Sequence, residues 1–252
     1  MKRWIVGSLA AGSAVAGLTG AVLAWQKGPG VRRVNESIAE FTDHWEGVVA
    51  SNAGGDGVIQ FVALGDSSVQ GVGASSPESS WVSVLAERIE ERTGRPVEIY
   101  NLSVSGAIAA EVLREQIPRM REFPFEPDLV MLAIGGNDAT QPQRVTVESY
   151  AQVMSQIVKL LPRGSFITDP PWISIPLLGS RARRMARQVR PLIQEYGHHL
   201  LPLFDATHSA GRLRYFSYTS EDRFHPNDAA YVLWAEGFLA ALTEAGWAPR
   251  IA

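Results

Sequence analysis

Five short strand-like runs separated by helix-length segments predict an α/β protein. The expected architecture is a doubly wound, flavodoxin-like five-stranded parallel sheet, three-layer α/β/α, preceded by an N-terminal apolar helix. Two observations carry this. Val58–Leu64 is an apolar run, and Leu129–Ile134 is continuous and apolar, as a strand covered on both faces is. Each is followed by enough chain for a right-handed crossover helix, which makes 2-1-3-4-5 the expected strand order.

In chain order, Val58–Leu64 reads as the first strand and runs straight into Gly65-Asp66-Ser67. Trp81–Arg92 is a helix with Trp81, Val84, Leu85 and Ile89 on one face. Val97–Leu102 is the second strand, Ala107–Met120 a helix and Leu129–Ile134 the third strand. Ser149–Leu161 is a helix that stops before Pro162. Ser165–Thr168 is a short fourth strand, Gly179–Tyr196 a basic helix, Leu200–Phe204 the fifth strand and Asp228–Ala245 the closing helix.

The 252 residues suffice for one sizeable core. Hydrophobic residues at 46% and charged residues at 19% are ordinary for a globular domain with an added apolar segment. A net charge of −3 argues against a nucleic-acid partner. The absence of cysteine excludes disulfides, zinc–thiolate sites and a cysteine nucleophile.

Three regions follow. Residues 1–26 are a signal sequence or membrane anchor, 27–57 a linker with weak helical periodicity over Val34–Val49, and 58–252 the globular domain. Lys2 and Arg3 precede Trp4–Trp25, an uncharged run long enough to span a bilayer. One reading keeps it as an anchor with Trp4 and Trp25 at the interfaces. The other cleaves it after Val22-Leu23-Ala24. Either places the domain outside the cytoplasm, membrane-anchored or secreted. Ser8, Gly12, Ala16 and Gly20 suit an Ala/Gly-rich leader better than a helix-pairing face.

Four loops at strand ends hold chemically capable residues: Gly65-Asp66-Ser67, Asn101 to Gly106, Gly135-Gly136-Asn137-Asp138, and Asp222-Arg223-Phe224-His225-Pro226. In a doubly wound sheet such loops meet at one edge. Singly, each is an ordinary turn or helix cap, and Asp66 and Asp138 read as turn and cap residues. Together they resemble the SGNH hydrolases, the GDSL esterase/lipase superfamily, over residues 58–245. Ser68 stands where that family usually has leucine. No Gly-x-Ser-x-Gly elbow occurs, which argues against the α/β-hydrolases.

The resemblance implies a catalytic triad of Ser67 as nucleophile, His225 as base and Asp222 as the residue orienting His225. It implies oxyanion donors from the backbone of Ser67, the backbone of Gly106 and the amide of Asn137. Gly106 has no side chain to hinder that approach. The expected function is a serine esterase/lipase cleaving small-molecule or lipid carboxylic esters through an acyl-serine intermediate, with no cofactor and no metal. The rivals are an acyltransferase using the same triad and a non-catalytic binding module.

Arg181, Arg183, Arg184, Arg187 and Arg190 read as a solvated basic face, with anionic lipid or substrate as alternatives. Pro170–Leu178 is either a lid or acyl-binding wall, or a packed loop. His198 and His199 lack metal-ligand spacing. Asn35-Glu36-Ser37 and Asn101-Leu102-Ser103 match the glycosylation pattern, the second by coincidence since it lies in the expected site.

Overall fold

A computed structural model describes residues 28–55 and 57–249. Trp4–Trp25 lies outside these, and among the described residues no helix is long and apolar enough to cross a membrane. The elements are helix α1 (Pro29–Ser51), strand β1 (Ile59–Gly65), the short helix α2 (Ser67–Gln70), α3 (Trp81–Thr93) and β2 (Val97–Asn101). A helical stretch, α4, follows in three parts, Ala109–Glu111, Val112–Gln116 and Ile117–Arg121. Then come β3 (Leu129–Ala133), α5 (Gly136–Thr140), α6 (Val147–Leu160), β4 (Phe166–Thr168), α7 (Pro176–Glu195) and β5 (His199–Leu201). The chain ends in α8 (Leu203–Ser209), α9 (Gly211–Tyr215) and α10 (Asp228–Glu244).

The five strands are parallel in the order β2-β1-β3-β4-β5, as the alternation of runs and helices predicts. Side chains on a strand alternate between faces, and the two cores divide accordingly. Val62, Leu64, Val130, Leu132 and Ile167 pack with α4, α6 and α7. Ile59, Phe61, Ala63, Met131 and Phe166 pack with α3 and α10, where Trp81 meets Phe238 edge-on at 4.9 Å. The central strand β3, apolar throughout, is therefore buried on both sides, which is why it carries no alternation.

Two elements depart from expectation. The fifth strand ends at Leu201 because Pro202 has no N–H to donate to the ladder. The Phe204 N–H is taken by Asp169 Oδ1 at 2.7 Å, and the chain turns into α8. The expected helix over 107–120 contains a wide π turn at Val112–Gln116, just before Pro118, whose ring denies α4 a regular hydrogen bond.

The stretch read as a linker is a 23-residue helix packed into the domain. Phe41 and Trp45 are buried, and Trp45 Nε1 donates to Gln70 O at 2.8 Å. Asn52 Nδ2 donates to Ile99 O at 2.8 Å on the open edge of β2. At the other end of α1, Arg33 Nε donates to Glu221 Oε2 at 2.7 Å. Gly30 lies so close that a Cβ there would be 2.7 Å from Glu221 O. Helix α1 thus touches both the segment after Ser67 and the loop before His225. Trp45→Ala should cost about 3–5 kcal/mol, a loss of roughly 10 °C or more in Tm for a domain this size. Unchanged melting would mean that α1 is a detachable linker after all.

Candidate active site

Strand β1 delivers Ser67. Its last residue, Gly65, has φ 149°, and a Cβ there would stand 2.1 Å from Ala133 O, so only glycine fits. The buried Gln116, on the π turn of α4, grips this residue twice. Gly65 N donates to Gln116 Oε1, and Gln116 Nε2 donates to Gly65 O, both at 2.8 Å. Asp66 then caps α2, accepting from Ser68 N at 2.9 Å and Ser68 Oγ at 2.7 Å. Burial pushes the Asp66 carboxyl up, against those two bonds and the charge of His225.

The loop before α10 delivers the histidine. His225 Nε2 lies 2.8 Å from Ser67 Oγ, and His225 Nδ1 lies 2.5 Å from Asp222 Oδ2. Asp222 Oδ1 accepts from Ser220 Oγ, Phe224 N and His225 N, each at 2.9 Å. Between them, Arg223 holds φ 56°, the one positive φ outside glycine among the described residues. Such strain at a functional loop is held by its surroundings. One neighbour is Gly73, where a Cβ would come 2.7 Å from His225 Cβ. Burial pushes the Asp222 carboxyl up. The bond from His225, its positive charge and the two backbone N–H groups outweigh this and hold the carboxyl below its usual range.

The expected oxyanion residues stand less directly. Asn137 lines the same groove as Ser67 and His225, and its Nδ2 donates to Ala107 O at 3.0 Å, leaving a second amide hydrogen. Gly106 does not line that groove and is linked to it through its neighbour Ala107. Among the described residues neither the Ser67 nor the Gly106 N–H has a protein acceptor.

Asp66 and Asp138 are structural, as read. Both Asp138 oxygens sit 3.2 Å from Ala109 N, and burial pushes its carboxyl up to about 7. The residues that sequence missed are those acting through others. Gln70 Nε2 donates to Ser103 O at 3.2 Å, and Ser105 Oγ bonds Gln70 Oε1, which ties the Gly106 loop to α2. Asn101, 5% exposed, donates to Val69 O at 2.9 Å, so its glycosylation pattern is indeed coincidental.

The arginine run divides. Arg181 is buried and donates to the carbonyls of Asp138, Ala139 and Val145. Arg190 lies 2.6 Å from Asp169 and 2.8 Å from Asp205. For these two the solvated-face reading is corrected: their charges brace β4, α5 and α8. His198 is buried with Nε2 2.7 Å from Val158 O. Among the described residues no cluster of metal-ligating side chains occurs.

Beside Ser67 and His225 opens a groove of about 300 Å³ between α8 and α10. Pro171, Trp172 and Ile173 form part of its wall, so the apolar loop borders the site.

Comparison with known proteins shows the family and the fold. The model of the GDSL-like lipase/acylhydrolase family matches residues 63–233, more than half of the chain. A GDSL-like esterase of Mycobacterium tuberculosis is 26% identical over 198 residues, covering 74% of this chain and 62% of the relative. Solved structures share the fold. An alpha/beta hydrolase enzyme from the Lake Arreo metagenome superposes with TM-score 0.61 at 21% identity, over 73% of this chain and 95% of its own. An acetylxylan esterase from Geobacillus stearothermophilus does so with TM-score 0.60 at 18% identity, over 75% and 95%. The chain belongs to the GDSL-like lipase/acylhydrolase family.

Proposed function

We propose that this protein is a serine ester hydrolase acting through an acyl-serine intermediate. The observation that carries the reading is the unbroken chain of hydrogen bonds from Asp222 through His225 to Ser67. Ser67 Oγ attacks the ester carbonyl while His225 Nε2 takes its proton. The carbonyl oxygen, now negative, is met by the Ser67 and Gly106 N–H groups and the Asn137 amide. The intermediate collapses, the C–O bond to the alcohol breaks, and His225 returns its proton to the leaving oxygen. Water then attacks the acyl-serine with His225 again as base, releasing the acid and restoring Ser67. Asp222, ionised, holds the Nδ1–H tautomer and steadies the imidazolium.

The apolar run Trp4–Trp25 supports an extracytoplasmic setting, with the domain held at a membrane or released by cleavage.

A fluorophosphonate should label the full chain on the peptide carrying Ser67 and stop ester hydrolysis in proportion. A preparation that hydrolyses esters yet labels elsewhere, or nowhere, would sink the reading. With an excess of acceptor alcohol, free acid should remain the main product. A new ester in its place would move the protein to acyl transfer.

A further inference from the structure

We infer that the groove between α8 and α10 binds the acyl chain of the substrate, and that the preferred acyl group is long. This rests on the acyl-serine reading above and names its substrate class. The groove is continuous with Ser67 and His225 and runs along α10 as far as Ala241. From Ala230 to Ala241 the helix rises about 16 Å, roughly the span of an extended chain of a dozen carbons. Ala230, Trp234, Gly237 and Ala241 recur at i, i+4, i+7 and i+11, so they share one face of α10. Tyr231, Ala235 and Leu242 lie on another face, inside the core. Trp234 and Ala241 also pack against that core, so α10 serves both folding and the lining of an opening.

The chemistry of the walls selects the occupant. Besides Ser67, Asn137 and His225, the hydroxyl-bearing Tyr215, Tyr218 and Thr219 line the groove, and the last two stand near its Ser67 end, where Thr219 pairs with Pro226 and Tyr218 O accepts from Asn227 N. Toward Ala241 the helix offers no hydrogen-bonding group except the Trp234 indole N–H. On the facing wall stand Ala206 of α8 and Ala210 just beyond its end. The Thr207 hydroxyl is already used, donating to Leu203 O at 2.7 Å and accepting from Trp172 N at 2.8 Å. A sugar lying there would leave its hydroxyls unpaired. An acetyl group would leave most of the groove unfilled. An alkyl chain fits both length and polarity, and the small residues leave room for its width. At Gly237 an added Cβ would meet nothing within 4 Å, so the wall is open at mid-length.

The test is a series of p-nitrophenyl esters, acetate to tetradecanoate, with the full-length protein. Buried methylenes predict a rise in kcat/KM of up to about fourfold per CH₂ (~0.8 kcal/mol) to an optimum near ten to twelve carbons. Gly237→Leu and Ala241→Phe should move the optimum to shorter chains and cut the decanoate-to-acetate ratio at least tenfold. Glu236→Leu, on the same helix but outside the groove, should leave that ratio alone. Rates of fluorophosphonate labelling check that each variant is folded. Ser67-dependent hydrolysis with no preference beyond acetate overturns the groove assignment alone. So does a length preference that ignores both wall variants, or one seen only when the alcohol is lengthened. Hydrolysis that does not depend on Ser67 overturns the acyl-serine reading as well.

Discussion

Replacing Ser67 by alanine should lower kcat by on the order of 10⁴- to 10⁶-fold, with the fold intact. The hydroxyl makes one side-chain bond, to His225 Nε2 at 2.8 Å. Losing a single such bond costs about 1 kcal/mol, small against the roughly 5–15 kcal/mol that holds a domain together. The proposed mechanism has no substitute for it. The adjacent Ser68 hydroxyl is bound to Asp66 Oδ1 at 2.7 Å, and Ser103 Oγ is bound to Asn101 Oδ1 at 2.5 Å. Neither has a histidine to take its proton. KM should change little, because the apolar groove remains. Turnover of a soluble aryl ester and a melting curve check this. A variant that melts like the wild type and keeps more than about a tenth of its kcat would mean another group is the nucleophile.

The candidate site was legible because each proposed catalytic side chain sits in a local turn with its own sequence pattern. Gly65-Asp66-Ser67 ends a strand that is apolar but for Gln60, and Asp222 and His225 share one short loop before a helix. Residues that position them left no such trace. Gln116 is a helical glutamine whose partner is a backbone 51 residues away, and Gln70 and Trp45 work across α1, α2 and the Ser103–Gly106 loop. Pro118 was the one hint that α4 is irregular where Gln116 reaches out. The arginine helix misled for a related reason. Five arginines in a row of turns look solvated until tertiary structure supplies carbonyls for Arg181 and carboxylates for Arg190. Short strands were legible as runs but not at their ends. What stops β5 is Pro202 together with Asp169, a residue from the preceding strand's loop. The groove was invisible because α8, one of its walls, was read as strand and loop.

Replacing Asp222 by asparagine should cut kcat by on the order of 10⁴ while leaving the loop in place. Three donors, Ser220 Oγ, Phe224 N and His225 N, point at Oδ1. They fix which way an asparagine can sit: its carbonyl must face them, so its NH₂ must face His225 Nδ1. A donor there forces Nδ1 to accept, and the neutral ring then carries its proton on Nε2. That nitrogen faces Ser67 with no lone pair to take the hydroxyl proton. The loss is thus a tautomer effect, expressed in kcat rather than KM. Fluorophosphonate labelling, which needs the same proton transfer, should slow in parallel. Asp222→Ala is a poorer probe, since it strips the acceptor from all three donors and loosens a loop that already holds Arg223 at φ 56°. If asparagine at 222 cost less than about tenfold, the imidazole would be oriented by something other than Asp222, and the proton path from Ser67 to His225 would need redrawing.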